Sequence, residues 1–396
     1  MIRVTLPPQA DRYSAAINGA LSAWFRCATV SAFLISGGQS GALVLRIELS
    51  LQANALVPAG EYILKVRTRA VGETSSAAAH LIASAAGPKF ASQHMAVVVR
   101  QHEYSLGSSR VDVTLFSVAG GSLQRFRPCE SPSSARLERA SAAIIADVTE
   151  AWSAPGLVAE MTVYGALISF MGGQRMTDAV DKVGAFIPFK AQVDTRHGAI
   201  ISPELFLKII APFDVPIPMI TALNHRDLRG GNILIGPTAG ESVAEYFIID
   251  FDESQVGLAG YDAAYLEVER FFRNCEGLDA GSVRGLISED AATVQALIAR
   301  ADLASFVGIR DSIRQGEERV WANTEWEHII RRQSMLARIA ASLIWIRRDS
   351  IGRSAKVTLA LYAGSQCALF LERYYGPSLA AVQTMFGADG KGQVQP

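Results

Sequence analysis

Between His225 and Asn232 the chain gathers an imidazole, a carboxylate, two guanidiniums and an amide, in Leu223-Asn224-His225-Arg226-Asp227-Leu228-Arg229-Gly230-Gly231-Asn232-Ile233-Leu234-Ile235. Eighteen residues after Asn232, the apolar run Ile248-Ile249 ends in Asp250, followed by Phe251 and Asp252. Phosphoryl transfer from a nucleoside triphosphate needs a carboxylate beside the attacking hydroxyl and oxygen ligands that hold Mg²⁺ across the phosphates. Asp227 on a loop, Asn232 at the mouth of a strand and Asp250 at the end of the paired strand would converge on one point. The spacing His-x-Asp-x-x-x-x-Asn can arise by chance. Chance seldom adds an apolar run directly after the Asn and a second one ending in Asp.

The elements that must position these residues divide unevenly. In the first third, Val30 to Ile35, Ala42 to Leu49 and Tyr62 to Val66 are apolar, β-branched or alternating runs that predict strands, the first two joined by Ser36-Gly37-Gly38-Gln39-Ser40-Gly41. A helix fits Glu73 to Ala86, stopped by Gly87-Pro88, and His94 to Gln101 with Val111 to Val118 predict an antiparallel pair. Ala119-Gly120-Gly121 reads as a flexible joint. Beyond it, Ala135 to Trp152 and Val158 to Phe170 have helical spacing, whereas Gly172 to Pro218 reads as irregular, broken by five prolines. Short strands fit Asn232 to Ile235 and Tyr246 to Phe251, and helices fit Asp262 to Phe272, Ala291 to Ala301, Trp326 to Ile346 and Ala355 to Tyr375. The expected fold class is therefore α+β. Its divisions are an extension over 1–29, a small sheet domain over 30–120, a larger helical domain over 121–386 and a flexible tail over 387–396.

Composition narrows the partners. With 37 basic and 38 acidic side chains the net charge is -1, unlike the strongly basic domain that nucleic-acid binding requires. At 49% hydrophobic and 19% charged the chain has the material for packed cores. Only seven of the basic residues are lysines, and Lys65 is the one embedded in an apolar strand. Four cysteines, Cys27, Cys129, Cys275 and Cys367, lie too far apart to suggest a disulfide framework or a metal knuckle. No N-terminal run has signal-peptide length, and Val357 to Leu371 is 15 residues long, short of the roughly 20 a membrane helix needs. The expectation is a cytoplasmic protein with neither a nucleic-acid nor a membrane partner.

The motif resembles the catalytic loop of the protein-kinase-like fold, most of all its aminoglycoside phosphotransferase and choline kinase branch. The resemblance covers about residues 30 to 272 by motif. It implies a bilobal fold, with a small sheet lobe and a mainly helical one, and an enzyme that uses ATP and Mg²⁺ to phosphorylate a hydroxyl of a small molecule. It also implies Asp227 as catalytic base, Asn232 and Asp250 as metal ligands, and Gly37, Gly38, Ser40 and Gly41 in the loop that covers the phosphates. Lys65 stands where that fold carries the lysine that pairs with the α- and β-phosphates, and Val113 to Gly121 would be the hinge that meets adenine. Glu73 is the one carboxylate between Lys65 and Glu103, and either pairs with Lys65 or is a solvated first-turn acid. The same resemblance makes His225 a structural anchor of the loop, Asp262 its tie to the following helix, and Arg229 a fixed cation near the transferring phosphate.

Departures from regulated protein kinases shape the expectation further. Aspartate stands at 252 where those enzymes have glycine, and 11 residues separate Asp250 from Asp262, too few for an activation segment. Arg226 reads as a local salt-bridge partner. Leu258 to Glu269 and the late arginine-rich helices also resemble a kinase-like group, the ternary complex associated domains of bacterial signalling or conflict assemblies. That resemblance implies the alternative, a catalytically weak nucleotide-binding or docking module with protein partners in a signalling complex. The six arginines from Arg331 to Arg353 read either as a surface for an acidic partner or as a solvated helix face.

Overall fold

The computed structural model describes residues 2–25, 28–35, 41–51, 57–131, 135–153, 156–186, 192–237 and 245–376. In chain order its elements begin with β1 (Ile2–Thr5), α1 (Ser14–Trp24), β2 (Ala28–Leu34), β3 (Leu43–Leu51), β4 (Gly60–Arg69), α2 (Ser76–Ala86), α3 (Pro88–His94), β5 (Val98–Leu106), β6 (Ser109–Ser117) and β7 (Arg127–Pro128). There follow α4 (Ala135–Asp147), β8 (Val158–Met161), α5 (Val163–Met171), α6 (Gly173–Phe186), β9 (Gln192–Thr195), β10 (Gly198–Ile201), α7 (Pro203–Ile210), β11 (Ile217–Asn224), β12 (Ile233–Ile235), β13 (Tyr246–Ile248) and β14 (Gln255–Leu258). The elements described after β14 are all helices, α8 (Tyr261–Asn274), α9 (Ala280–Ile287), α10 (Ala291–Leu297), α11 (Ala301–Trp321), α12 (Glu327–Arg347) and α13 (Arg353–Tyr374). The class is α+β. No described helix is long and apolar enough to cross a membrane.

The chain divides into two compact units, one of Met1–Cys129 with Gly231–Ser254 and one of Glu130–Gly230 with Gln255–Pro396. In the first, a six-stranded sheet runs β1-β2-β3-β4-β6-β5, with β1 parallel to β2 and the other pairs antiparallel. Its core is one face of that sheet under α1, where Leu45, Ile47, Leu64, Val66, Val113 and Leu115 alternate along their strands and meet Ile17 and Leu21. Residues 2–25, which the sequence marks only as an extension, thus supply a strand and a helix to this core. A second sheet, β13-β12-β7, brings the segment after Gly231 into the same unit.

The second unit buries α8, α12 and α13 in its largest core, with Tyr265, Phe271, Leu336, Trp345, Tyr362 and Phe370 at its centre. Small sheets β14-β11-β8 and β10-β9 complete it.

Several expectations change. Glu73 is not in a helix, because Ser75 caps the first turn through Ala78 N–H at 3.1 Å and α2 starts at Ser76. The stretch 172–218 is largely regular, and β8 and α5 replace a single helix over 158–170. Helices α9 and α11 are further additions. Gly120 and Gly121 form a 3-10 turn rather than a loose joint, with Gly120 at φ 64° and placed so that a Cβ would come within 2.0 Å of the Phe126 ring. The expected tail over 387–396 lies outside the described residues.

Candidate functional site

In the first unit the site begins with the two-residue period of β4. Leu64 and Val66 face the core, so Lys65, Arg67 and Arg69 share the opposite face. Lys65 is buried, and its Nζ donates to Asp250 Oδ1 at 2.5 Å and to Asp252 Oδ2 at 2.8 Å. Burial alone would lower this ammonium. The two carboxylates outweigh it and hold Lys65 above the ordinary lysine range. Arg67 Nη1 and Ser76 Oγ also donate to Asp252 Oδ2, at 3.0 and 2.9 Å. Arg69 turns instead to Asp112, at 2.7 Å, and to Glu103.

The hairpin β12–β13 sets Asn232 and Asp250. Ile233 pairs with Ile248, and Ile249 N–H donates to the Asn232 carbonyl at 3.0 Å, so the two candidate metal ligands stand at one end of the hairpin. Asp250 has φ 69°, a left-handed conformation that aspartate tolerates better than most residues. Phe251 is buried against the edge of the His80 ring, 5.4 Å between centroids, which ties the turn after Asp250 to α2. Glu73 lies apart from Lys65. It is half-exposed, accepts from Ala70 N–H at 3.2 Å and approaches Arg67 at 3.9 Å. Gly41 has φ 72° with open space around its Cβ position, while Gly37, Gly38 and Ser40 lie outside the described residues.

In the second unit one face of α8 holds the loop that carries Asp227. Asp262 accepts from the backbone N–H groups of His225 and Arg226 at 2.7 and 2.9 Å, Tyr265 OH donates to Asp227 Oδ1 at 3.0 Å, and Glu269 accepts from Gly230 N–H at 2.9 Å. The spacing 262, 265, 269 is one helical stripe. Gly260 begins the helix at φ 80°, where a Cβ would press on Ser334 Oγ at 3.0 Å. His225 is buried, and its Nδ1 accepts from Asp227 N–H at 3.3 Å.

Asp227 itself lies between two cations. Arg348 Nη2 donates to Oδ1 at 2.9 Å and Arg229 Nε to Oδ2 at 3.2 Å. Burial pushes this carboxyl up, but Arg348, Arg229 and His225 overcome it, and the net effect holds Asp227 below the ordinary carboxylate range. Arg348 lies over the Trp345 ring at 4.1 Å and also donates to Tyr265 OH. Asp262 is raised, burial outweighing His225 and the two N–H donors.

Arg226 is not a salt-bridge partner among the described residues. Held at φ 67°, it donates to the Phe170 carbonyl at 2.5 Å and lies over the Tyr261 ring at 5.7 Å. The arginines of 331–353 form no continuous solvated face. Arg338 pairs with buried Glu267 at 2.8 Å, Arg347 approaches Asp178 at 3.7 Å, and Arg348 reaches Asp227.

Ser76, Tyr265, Glu269 and Arg348 escaped sequence reasoning, as did the contact of Asp252 with Lys65. The stripe Asp262, Tyr265, Glu269 was a readable signal, whereas Arg348 stands 121 residues beyond Asp227 with nothing local to mark it. Mg²⁺ is commonly held by one or two carboxylates together with phosphates and water. Asp250 and Asn232 supply oxygen donors of that kind from one end of a hairpin, so the residues present fit the ion. Among the described residues, no group of three or more His, Cys, Asp or Glu could hold a metal by itself.

No protein-family model and no curated protein sequence matches the chain. Solved structures similar to it include ethanolamine kinase of Plasmodium vivax, 10% identical over 88% of this chain and 84% of that one, with a TM-score of 0.38. Aminoglycoside-3'-phosphotransferase of type VIII is 15% identical over 83% and 98%, TM-score 0.40, and choline kinase from Cryptosporidium parvum is 12% identical over 90% and 92%, TM-score 0.36. At such values the functional reading rests on the residues of the chain itself.

Proposed function

We infer that the chain is a phosphotransferase that uses ATP and Mg²⁺ to phosphorylate a hydroxyl of a small molecule. The observation that carries this reading is the buried ammonium of Lys65, 2.5 Å from Asp250 across 185 residues of sequence. A buried lysine shared between two carboxylates has little structural purpose that an apolar side chain would not serve as well. It suits a strand that must present a cation to phosphate.

On this reading Lys65 grips the phosphates and the glycine-rich segment 37–41 covers them. Asp250 and Asn232 would hold Mg²⁺, which supplies stabilisation of the charge on the transferring group. Asp227 accepts a hydrogen bond from the acceptor hydroxyl and orients its oxygen. Its low basicity makes proton removal from an alcohol unfavourable before the new bond forms, so it orients first and takes the proton late. Arg229 and Arg348 fix the carboxylate and offset developing negative charge. The 11 residues between Asp250 and Asp262 are taken up by a 3-10 turn, β14 and the entry to α8, which favours a small acceptor over a peptide.

Melting temperature and ATP consumption test the reading. ATP is expected to raise the melting temperature more with Mg²⁺ than without it, and ADP release should respond to some member of a panel of hydroxyl-bearing small molecules. Binding without consumption across that panel would favour the docking module, and no nucleotide effect at all would contradict both.

A further inference from the structure

Lys65 has two carboxylate partners of unequal standing. Asp252 is the deeper one, its side chain 11% exposed against 29% for Asp250. One oxygen of Asp252, Oδ2, collects Lys65 at 2.8 Å, Arg67 at 3.0 Å and the hydroxyl of Ser76, the first residue of α2, at 2.9 Å. Asp250, by contrast, meets Lys65 through Oδ1 at 2.5 Å, the same carboxylate that the functional reading gives to magnesium. Glu73, half-exposed and turned towards Arg67, takes no part in holding Lys65.

We propose that Asp252 is the positioning residue that holds Lys65, in place of a helix glutamate, and that it thereby keeps Lys65 from competing with Mg²⁺ for Asp250. The idea rests on the phosphotransferase reading. Charge makes the argument. Two cations, Lys65 and Arg67, face two carboxylates, Asp250 and Asp252, so each cation has a partner even when Asp250 turns to a metal. With Asp252 neutral, Lys65 is left to Asp250 alone while Arg67 keeps only Glu73 at 3.9 Å, and a divalent ion must displace Lys65 to reach Asp250. The donors on Asp252 matter for the same reason, since Arg67 and Ser76 fix its oxygen where Lys65 can stay. Aspartate at 252, a departure when read in sequence, is on this account what makes a helix glutamate unnecessary.

The test measures binding rather than turnover. A fluorescent, non-hydrolysable ATP analogue is titrated into the wild type, Asp252→Asn, Ser76→Ala and Glu73→Gln, each with and without Mg²⁺. Asp252→Asn keeps the shape and an acceptor oxygen while removing the charge. It is expected to cut the gain in affinity conferred by Mg²⁺ about tenfold, the scale of one charge-assisted hydrogen bond. Binding without metal should stay equal or tighten, because one negative charge near the phosphates is gone. Ser76→Ala should shift the gain in the same direction by less, and Glu73→Gln should leave both constants at wild-type values. A merely structural role for Asp252 would weaken both constants together, and that result overturns the proposal. So does an unchanged Mg²⁺ gain in Asp252→Asn, or a loss of that gain in Glu73→Gln. Failure of the wild type to bind the analogue at all would sink the phosphotransferase reading as well, so the two failures are distinguishable.

Discussion

Asp227 shows how a single carboxylate is tuned by what surrounds it. Burial raises it, and Arg348 with Arg229 brings it back below its ordinary range. Because the folded value is depressed, the stability this group contributes is fully present above the unfolded carboxylate value of about 3.9 and is lost as pH falls through the folded value. Removing Arg348 takes away the first of the charges that oppose burial. In Arg348→Met the carboxyl is expected to rise, and the acid limb of kcat/KM to move up by about one pH unit. A pH-rate profile measures it, and an acid limb that stays where the wild type has it would show that Arg348 does not set the charge on Asp227. The motif made Asp227, Asn232 and Asp250 legible as candidates because a short register sets their spacing. Arg348 was not legible, since what a guanidinium near the end of α12 faces depends on packing. Asp252 lay between these cases, visible as an odd residue while its partner, Lys65, came from a strand far upstream.

Among elements, α8 does the most. One face carries Asp262, Tyr265 and Glu269 against the loop that holds Asp227, and the other puts Glu267 into the core, where Arg338 of α12 at 2.8 Å and the Tyr362 hydroxyl of α13 at 2.8 Å satisfy it. Burial raises Glu267, yet Arg338 and Arg314 hold it low, so it stays ionised inside apolar surroundings. Arg338→Met strands that charge and should cost roughly 3 kcal/mol. In a chain of this size that is a fall in melting temperature of about 4 °C. The double variant Glu267→Met with Arg338→Met should recover much of the loss, because the fully buried carboxylate is removed together with its guanidinium. A single variant that melts like the wild type would contradict this role for the pair. Periodicity made α8, α12 and α13 legible, their apolar stripes being long. The stretch 172–218 was misread because its prolines looked like breakers. Pro203 instead occupies the first turn of α7 behind the Ser202 cap, where its missing N–H costs nothing, and Pro218 sits within β11 opposite Glu160.

At the scale of the whole molecule, the α+β class followed from a strand-rich first third and a helix-rich remainder. What sequence order concealed is that Gly231–Ser254 packs with the first 129 residues, so the unit that carries Lys65 also carries Asn232, Asp250 and Asp252. Asp227 belongs to the other unit, and four residues of chain separate it from Asn232. The motif thus has residues in both units. The most direct test is the rate of ADP formation from ATP and Mg²⁺ by Asp227→Asn and by the wild type, with the most effective acceptor and at matched melting temperature. A catalytic role for Asp227 calls for a loss of about a thousandfold or more, and turnover undiminished in the variant would contradict it.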